Sequence, residues 1–172
     1  MPVENFEGNT FVAFVDISGF KKLMKKKKGI KALNKFYSNG YYILNKYNNK
    51  ENRLCKNIPC VEGIFISDCG ILFVRNCSCQ VQINELLKVL KELNSRMIDN
   101  DIMLTTSIAY GQFKYKEKFE CTGMEKVPIY GQAYVNAFID AENEEPKMQS
   151  GQCRIVKNNL PYEVKWQLNH ND

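Results

Sequence analysis

Histidine is almost absent from this sequence: His170 is the only one in 172 residues. Triad and imidazole acid–base chemistry are therefore not expected. Cysteine is present but not in metal-site spacing. Of Cys55, Cys60, Cys69, Cys77, Cys79, Cys121 and Cys153, only Cys77-Ser78-Cys79 is a tight pair. That pattern argues against zinc and for reduced thiols. No apolar run approaches the ~20 residues a membrane span needs. The opening Met-Pro-Val-Glu-Asn-Phe-Glu lacks the basic and apolar regions of a signal peptide. A cytoplasmic protein with no membrane partner is the resulting expectation. A basic surface interleaved with aromatics, as nucleic-acid binders carry, is also missing. The formal net charge of +5 comes largely from one block, Lys21-Lys22-Leu23-Met24-Lys25-Lys26-Lys27-Lys28. Such a run reads first as a solvated helix face. Its second reading is a field that draws polyanions such as nucleotides toward the residues just before it.

Those residues form the most informative stretch. Thr10-Phe-Val-Ala-Phe-Val-Asp-Ile-Ser-Gly-Phe20 starts as a strand buried on both faces and ends at Asp16. A carboxylate at the end of a core strand is costly to desolvate unless something positive meets it. Ser18-Gly19 can then turn the chain into a helix. Strand, acid, glycine turn and helix start aim a carboxylate and free backbone N–H groups at one spot, which suits a metal bound to phosphate. Asp16 as a simple helix cap is the other reading.

At this length one domain, residues 1–172, is expected. The spacing predicts helices over residues 20–24 and 30–47, broken at Gly29, with Ile30, Leu33, Phe36, Tyr37, Tyr41 and Leu44 on the buried face. Residues 48–57 read as a loop. Apolar runs at 61–67 and 70–74 flank Asp68-Cys69 and read as a hairpin. A helix follows over 81–98, with Ile83, Leu86, Leu87, Leu90, Leu93 and Met97 inward. A strand over 102–110 ends at Gly111, a β arm covers 113–121, a helix 133–143, and short strands 153–157 and 162–168.

The first six elements match a ferredoxin-like βαββαβ core, so the fold class is α+β, with an added β arm, late helix and terminal strands. In that arrangement the first strand and the central hairpin meet at one sheet edge, which places Asp16 beside Asp68. Two adjacent carboxylates raise each other's pKa unless a cation joins them. Hard oxygen ligands favour Mg²⁺ or Mn²⁺, and two such ions can serve in-line phosphoryl transfer.

These residues resemble class III nucleotide cyclases. Phe14-Val15-Asp16-Ile17-Ser18-Gly19-Phe20 is similar to their first metal motif and Phe65-Ile66-Ser67-Asp68 to the second. Ser107-Ile108-Ala109-Tyr110-Gly111 resembles their glycine-ending strand, and Tyr130-Gly131-Gln132-Ala133-Tyr134-Val135-Asn136-Ala137 the start of the late catalytic helix. The small stand-alone pyrimidine cyclases of bacterial anti-phage Pycsar systems are the most similar group. The resemblance implies that UTP or CTP is converted to a 3′,5′-cyclic monophosphate, which activates a separate effector protein. It implies two Mg²⁺ or Mn²⁺ ions held by Asp16, Asp68 and the Ile17 carbonyl. Backbone N–H groups of Ile17, Ser18, Gly19 and Phe20 would bind phosphate, and a head-to-tail homodimer would share its sites.

The sequence also departs from the family pattern. Ile64 and Pro128 stand where adenylate cyclases carry the Lys and Asp that hydrogen-bond adenine, so a purine edge has no partner there. No alignment of the late helix supplies its usual Asn–Arg pair. A one-residue shift recovers Asn136 but puts Asp140 in place of the arginine. Arg154, or else Lys157, is the candidate for the missing charge, with an ordinary surface role as its alternative. Tyr110 and Tyr134 read as core residues before base contacts, and Glu62 as a surface residue before a third metal ligand. A degenerate cyclase fold that senses nucleotide without turnover is the competing function. A palm-type polymerase is disfavoured because Asp68 is followed by Cys69 and Gly70 instead of a second acid.

Overall fold

The computed structural model describes residues 3–48, 60–75, 77–116, 119–121, 124–126, 128–142 and 145–165. Strand β1 (Phe6–Ile17) is the spine, pairing antiparallel with β3 (Cys69–Arg75) on one side and β4 (Leu104–Tyr115) on the other. Strand β2 (Cys60–Ile66) pairs with β3 at the edge. At the other edge β7 (Ile129–Tyr130) pairs with the far end of β4, and β8 (Cys153–Ile155) runs parallel to its first half. The order β2-β3-β1-β4 is the ferredoxin-like one. A two-stranded hairpin, β5 (Phe119–Cys121) with β6 (Met124–Lys126), stands apart from this sheet.

Because side chains alternate across a strand, β1 feeds two cores. Phe11, Ala13, Val15 and Ile17 pack with α2 (Gly29–Asn48) and α3 (Cys79–Ile98). Val12 and Phe14 face the opposite way, with Ile71, Phe73 and Phe113, under Ala133 and Ala137 of α4 (Gln132–Glu142). Each fully buried Phe or Leu contributes about 2–3 kcal/mol. Asp16 follows Phe14 on the α4 side.

Several expected features come out differently. The buried face of α2 is Gly29, Ala32, Phe36, Gly40 and Ile43, whereas Ile30 and Tyr41 are 71% and 74% exposed. Small residues let the helix approach the sheet: a Cβ on Gly40 would lie 2.5 Å from the Phe65 ring. Leu87 of α3 likewise faces out, and Val89 lies inward. Strand β4 does not end at Gly111 but continues to Tyr115, since Phe6–Gly8 of β1 extend the ladder. Residues 162–165 form one helical turn on the Pro161 carbonyl instead of a strand. The predicted loop beyond residue 48 and the end of the last predicted strand, 166–168, lie outside the described residues. Among the described residues Cys69, Cys77, Cys79 and Cys153 are free thiols.

Candidate functional site

The register brings Asp16 and Asp68 together. Asp16 pairs with Cys69, and the Ile17 N–H donates to the Asp68 carbonyl at 3.0 Å, locking the hairpin turn to the end of β1. That turn has two residues, Ser67 and Asp68, with Ser67 at φ 53°. The Tyr37 hydroxyl braces it from α2 by donating to the Ser67 carbonyl at 2.8 Å.

Beyond Ile17 the chain turns through Gly19, in the left-handed region at φ 69°, into α1 (Phe20–Lys25). A Cβ on Gly19 would meet nothing within 4 Å, so glycine is required there for conformation, not space. Of the four N–H groups expected to cradle phosphate, two are already committed: Ile17 to Asp68 and Ser18 to the Met103 carbonyl at 2.9 Å. The ladder's continuation past Asp16 uses them. Those of Gly19 and Phe20 have no protein acceptor among the described residues.

The site is strongly acidic. Burial, then the charge of Asp68, then that of Glu142, push the Asp16 carboxyl from 3.8 to about 7, offset only in part by the Ile17 N–H. Glu142, the last residue of α4, escaped the sequence reading because its approach is purely tertiary. The Cys69 thiol is also pushed up, by burial and then by Asp16 and Asp68. The Ser18 hydroxyl beside the pair is buried without a hydrogen-bond partner. Unneutralised carboxylates and an orphaned hydroxyl fit a hard cation carrying a phosphate. The set is lean: among the described residues no group of three or more His, Cys, Asp or Glu is arranged to hold a metal ion. Asp16, Asp68 and a backbone carbonyl such as that of Ile17 would therefore leave the remaining positions to water and substrate oxygens.

The other expected site residues are dispersed. Arg154 of β8 sits on Ser107 of β4, and its guanidinium is committed: Nε donates to Asp140 Oδ2 at 3.1 Å, Nη2 to the Asp140 carbonyl at 2.6 Å and Nη1 to the Pro146 carbonyl at 2.8 Å. Ser107 donates to the same carboxylate oxygen at 2.6 Å. Arg154 thus neutralises a buried acid, so it is not an ordinary surface residue of an edge strand. Asn136 accepts a hydrogen bond from Gln132 at 2.6 Å on the outer part of α4. Ile64 packs on the α4 side of β2, and Pro128 lies ahead of β7 with its carbonyl accepting from the Lys116 N–H. Strands β3, β1 and β4 separate these two positions. Lys157 is exposed and beyond β8. Glu62 pairs with Arg75 at 2.7 Å, away from the metal acids. The Tyr110 hydroxyl accepts from Cys79 in the α2–α3 core, and Tyr134, on α4, packs against the core beneath that helix.

The two glycine motifs have a packing role. A Cβ on Gly131, at φ 128°, would lie 2.3 Å from the Gln112 carbonyl oxygen, and one on Gly111 would touch the Ala133 nitrogen at 3.5 Å. They seat the start of α4 on β4.

The catalytic core of a rhodopsin-guanylyl cyclase with converted specificity, solved with ATPαS, aligns over 98% of this chain and 85% of its own at TM-score 0.66 and 14% identity. This chain has the class III nucleotide cyclase fold. A bacterial light-regulated adenylyl cyclase aligns with the same cyclase fold over 80% of this chain, at TM-score 0.58 and 16% identity. Only 40% of that enzyme's length is covered. No family model and no curated protein matches the chain in sequence. Among the described residues no helix is long and apolar enough to cross a membrane.

Proposed function

We infer that the chain is a metal-dependent nucleotide cyclase acting on a pyrimidine nucleoside triphosphate, UTP or CTP, and signalling in antiviral defence through a separate effector. The observation that carries this reading is the unneutralised Asp16–Asp68 pair at the end of β1, in a cyclase fold. Asp16, Asp68 and the Ile17 carbonyl would hold Mg²⁺ or Mn²⁺. When bound, such ions lower the pKa of a ribose hydroxyl and neutralise triphosphate charge. The 3′-oxygen bonds to the α-phosphorus, the α–β bridging bond breaks, pyrophosphate leaves and the hydroxyl proton goes to solvent. Gly19 and Phe20 offer N–H groups to phosphate oxygens. Apolar Ile64 and Pro128, at the positions that read adenine in the family, favour a base other than adenine.

A homodimer with shared sites is part of this reading. Val135, Phe138 and Ile139 form an apolar stripe on α4, each about 40% exposed, with Tyr130 nearby in sequence at 47%. Covering it with a second copy would remove that surface from water. The competing reading, a nucleotide sensor without turnover, is favoured by the commitment of Arg154 to Asp140, which leaves no arginine of α4 or β8 for the transition state.

Incubation with each of the four triphosphates and Mn²⁺ tests the proposal. Cyclic UMP or CMP is expected, and Asp16→Ala or Asp68→Ala should abolish it. Metal-dependent binding with no cyclic product from any triphosphate would establish the sensor instead.

A further inference from the structure

The lysine run is not absorbed by the site. From Ile17 to Lys50 the sequence holds ten lysines and no acid, so the rest of the chain is net negative. Eight of them, Lys21, Lys22, Lys25, Lys26, Lys27, Lys28, Lys31 and Lys35, lie on α1, the α1–α2 connection and the first turns of α2. All eight are exposed, and none makes an ion pair among the described residues. Nor does any of them appear among the charges that set the Asp16 carboxyl. So dense a positive corner is self-repelling, and an anionic partner would relieve that repulsion.

Two apolar side chains stand in the same corner. Ile30 is 71% and Met24 51% exposed. Met24 lies over Gly29, the residue next to Ile30 in the chain: an added Cβ there would fall 2.0 Å from the Met24 sulfur. Gly29 thus lets α1 fold back on the start of α2, leaving two exposed apolar side chains among the exposed lysines of this segment.

We propose that this corner docks the protein on an anionic lipid surface, with lysines on the headgroups and Ile30 and Met24 inserted at the acyl boundary. Lipid matches both halves of the patch: basic clusters bind acidic headgroups, and an exposed aliphatic tip gains by entering the interface. The corner fits nucleic acid less well. Its cations are all lysines, point charges without the guanidinium fork that reads bases, and the tip carries no ring to stack on them. Docking here is attachment without a span. It departs from the expectation of no membrane partner.

Flotation of the full chain with vesicles of phosphatidylcholine alone, or with one-third phosphatidylglycerol, tests this at low and high salt. Binding is expected only with the anionic vesicles and should fall steeply with salt. Neutralising Lys25, Lys26, Lys28 and Lys31 to Gln should weaken partitioning by about fivefold per lysine that reaches the surface. Ile30→Ser should weaken it about tenfold with charge unchanged. Both variants should keep the wild-type melting temperature. Equal binding to neutral and anionic vesicles, or none to either, would overturn the proposal. So would duplex DNA that binds more tightly than the anionic vesicles with an affinity indifferent to Ile30→Ser.

Discussion

Replacing Arg154 by alanine distinguishes a structural guanidinium from a catalytic one. Asp140 is 7% exposed and relies on Arg154 and Ser107 for neutralisation and hydrogen bonding. Removing one partner of a buried pair costs about 3–5 kcal/mol, because the other charge remains desolvated. Arg154 itself is 28% exposed, so water reaches the vacated position and about 2–3 kcal/mol is the better expectation. For a chain of this size that is a melting temperature lower by about 5–10 °C. Asp140→Asn added to Arg154→Ala removes the stranded charge while its side-chain oxygen can still accept from Ser107. The double variant should therefore recover at least half of the loss, about 1–1.5 kcal/mol, and the coupling in a double-mutant cycle is that recovery plus the cost of Asp140→Asn alone. Thermal melting and urea denaturation of the four proteins supply the numbers, with cyclase turnover measured well below every melting point. Arg154→Ala that melts within about 1 °C of wild type yet loses turnover a hundredfold would refute this reasoning. The guanidinium would then leave Asp140 for phosphate in the working enzyme.

Metal-free protein should lose stability as pH rises. The unfolded Asp16 carboxyl ionises near 3.8 and the folded one near 7, so between those values the folded state holds a proton that the unfolded state has released. The ceiling is about 4 kcal/mol, or about 2 for a half-exposed group, fully present above pH 7 and absent below pH 4. Denaturation in chelator across that range should show the slope in wild type and not in Asp16→Asn, and stability that rises with pH would contradict it. Gly131→Ala should cost more than about 3 kcal/mol by urea denaturation, since its Cβ meets the Gln112 carbonyl, whereas Gly19→Ala should cost only about 1–2 kcal/mol of backbone strain. Tyr37→Phe removes one bond to the hairpin turn; about 1 kcal/mol of stability should go, together with a measurable loss of Mn²⁺ affinity by calorimetry. If each site is shared by two chains, mixing inactive Asp16→Ala with inactive Asn136→Ala should restore about a quarter of wild-type activity, from the one intact site in each mixed dimer. No recovery after verified subunit exchange would place the site within one chain.

What was legible in the sequence is what local pattern determines. The two-sided apolar run of β1 must lie mid-sheet, and a βαββαβ order then leaves one place for the hairpin, beside the end of β1. Asp68 therefore falls next to Asp16 on sequence pattern alone. What failed depended on partners distant in sequence. On the inner face of α2 hydrophobic size points to Ile30 and Tyr41, whereas close approach to Phe65 selects Gly40 and the core takes Ala32. Gly111 reads as a strand terminus in the sequence, yet β4 continues because Phe6–Gly8 are there to pair with it. Asp140 stands at the position of the missing arginine and Arg154 is its candidate replacement, and the pairing of the two with Ser107 shows in no spacing. Glu142 acts on Asp16 only because α4 packs across β1 and β4.

The opposed signs of charge on either side of Gly19 bear on what Asp16 is for. Lys21 and Lys22 begin only five residues after it, close enough in sequence to neutralise it. Had they done so, the carboxyl would be held below its ordinary range; it is instead pushed up to about 7, with only acids among the charges acting on it. Gly19 explains the separation. Its left-handed turn swings α1 so that Phe20 and Leu23 pack on the α2–α3 core while the lysines face outward, leaving the acids on the α4 side of the sheet. A helix-capping role for Asp16 is excluded by the same geometry: the residue ahead of α1 is Gly19, without a side-chain cap, and Asp16 is still in the β1 ladder opposite Cys69. A carboxylate that neither caps a helix nor pairs with nearby lysines, held against a second one by a backbone hydrogen bond, carries a standing electrostatic cost that a bound cation would remove. The same turn that denies Asp16 the lysines frees them for a negatively charged surface outside the site.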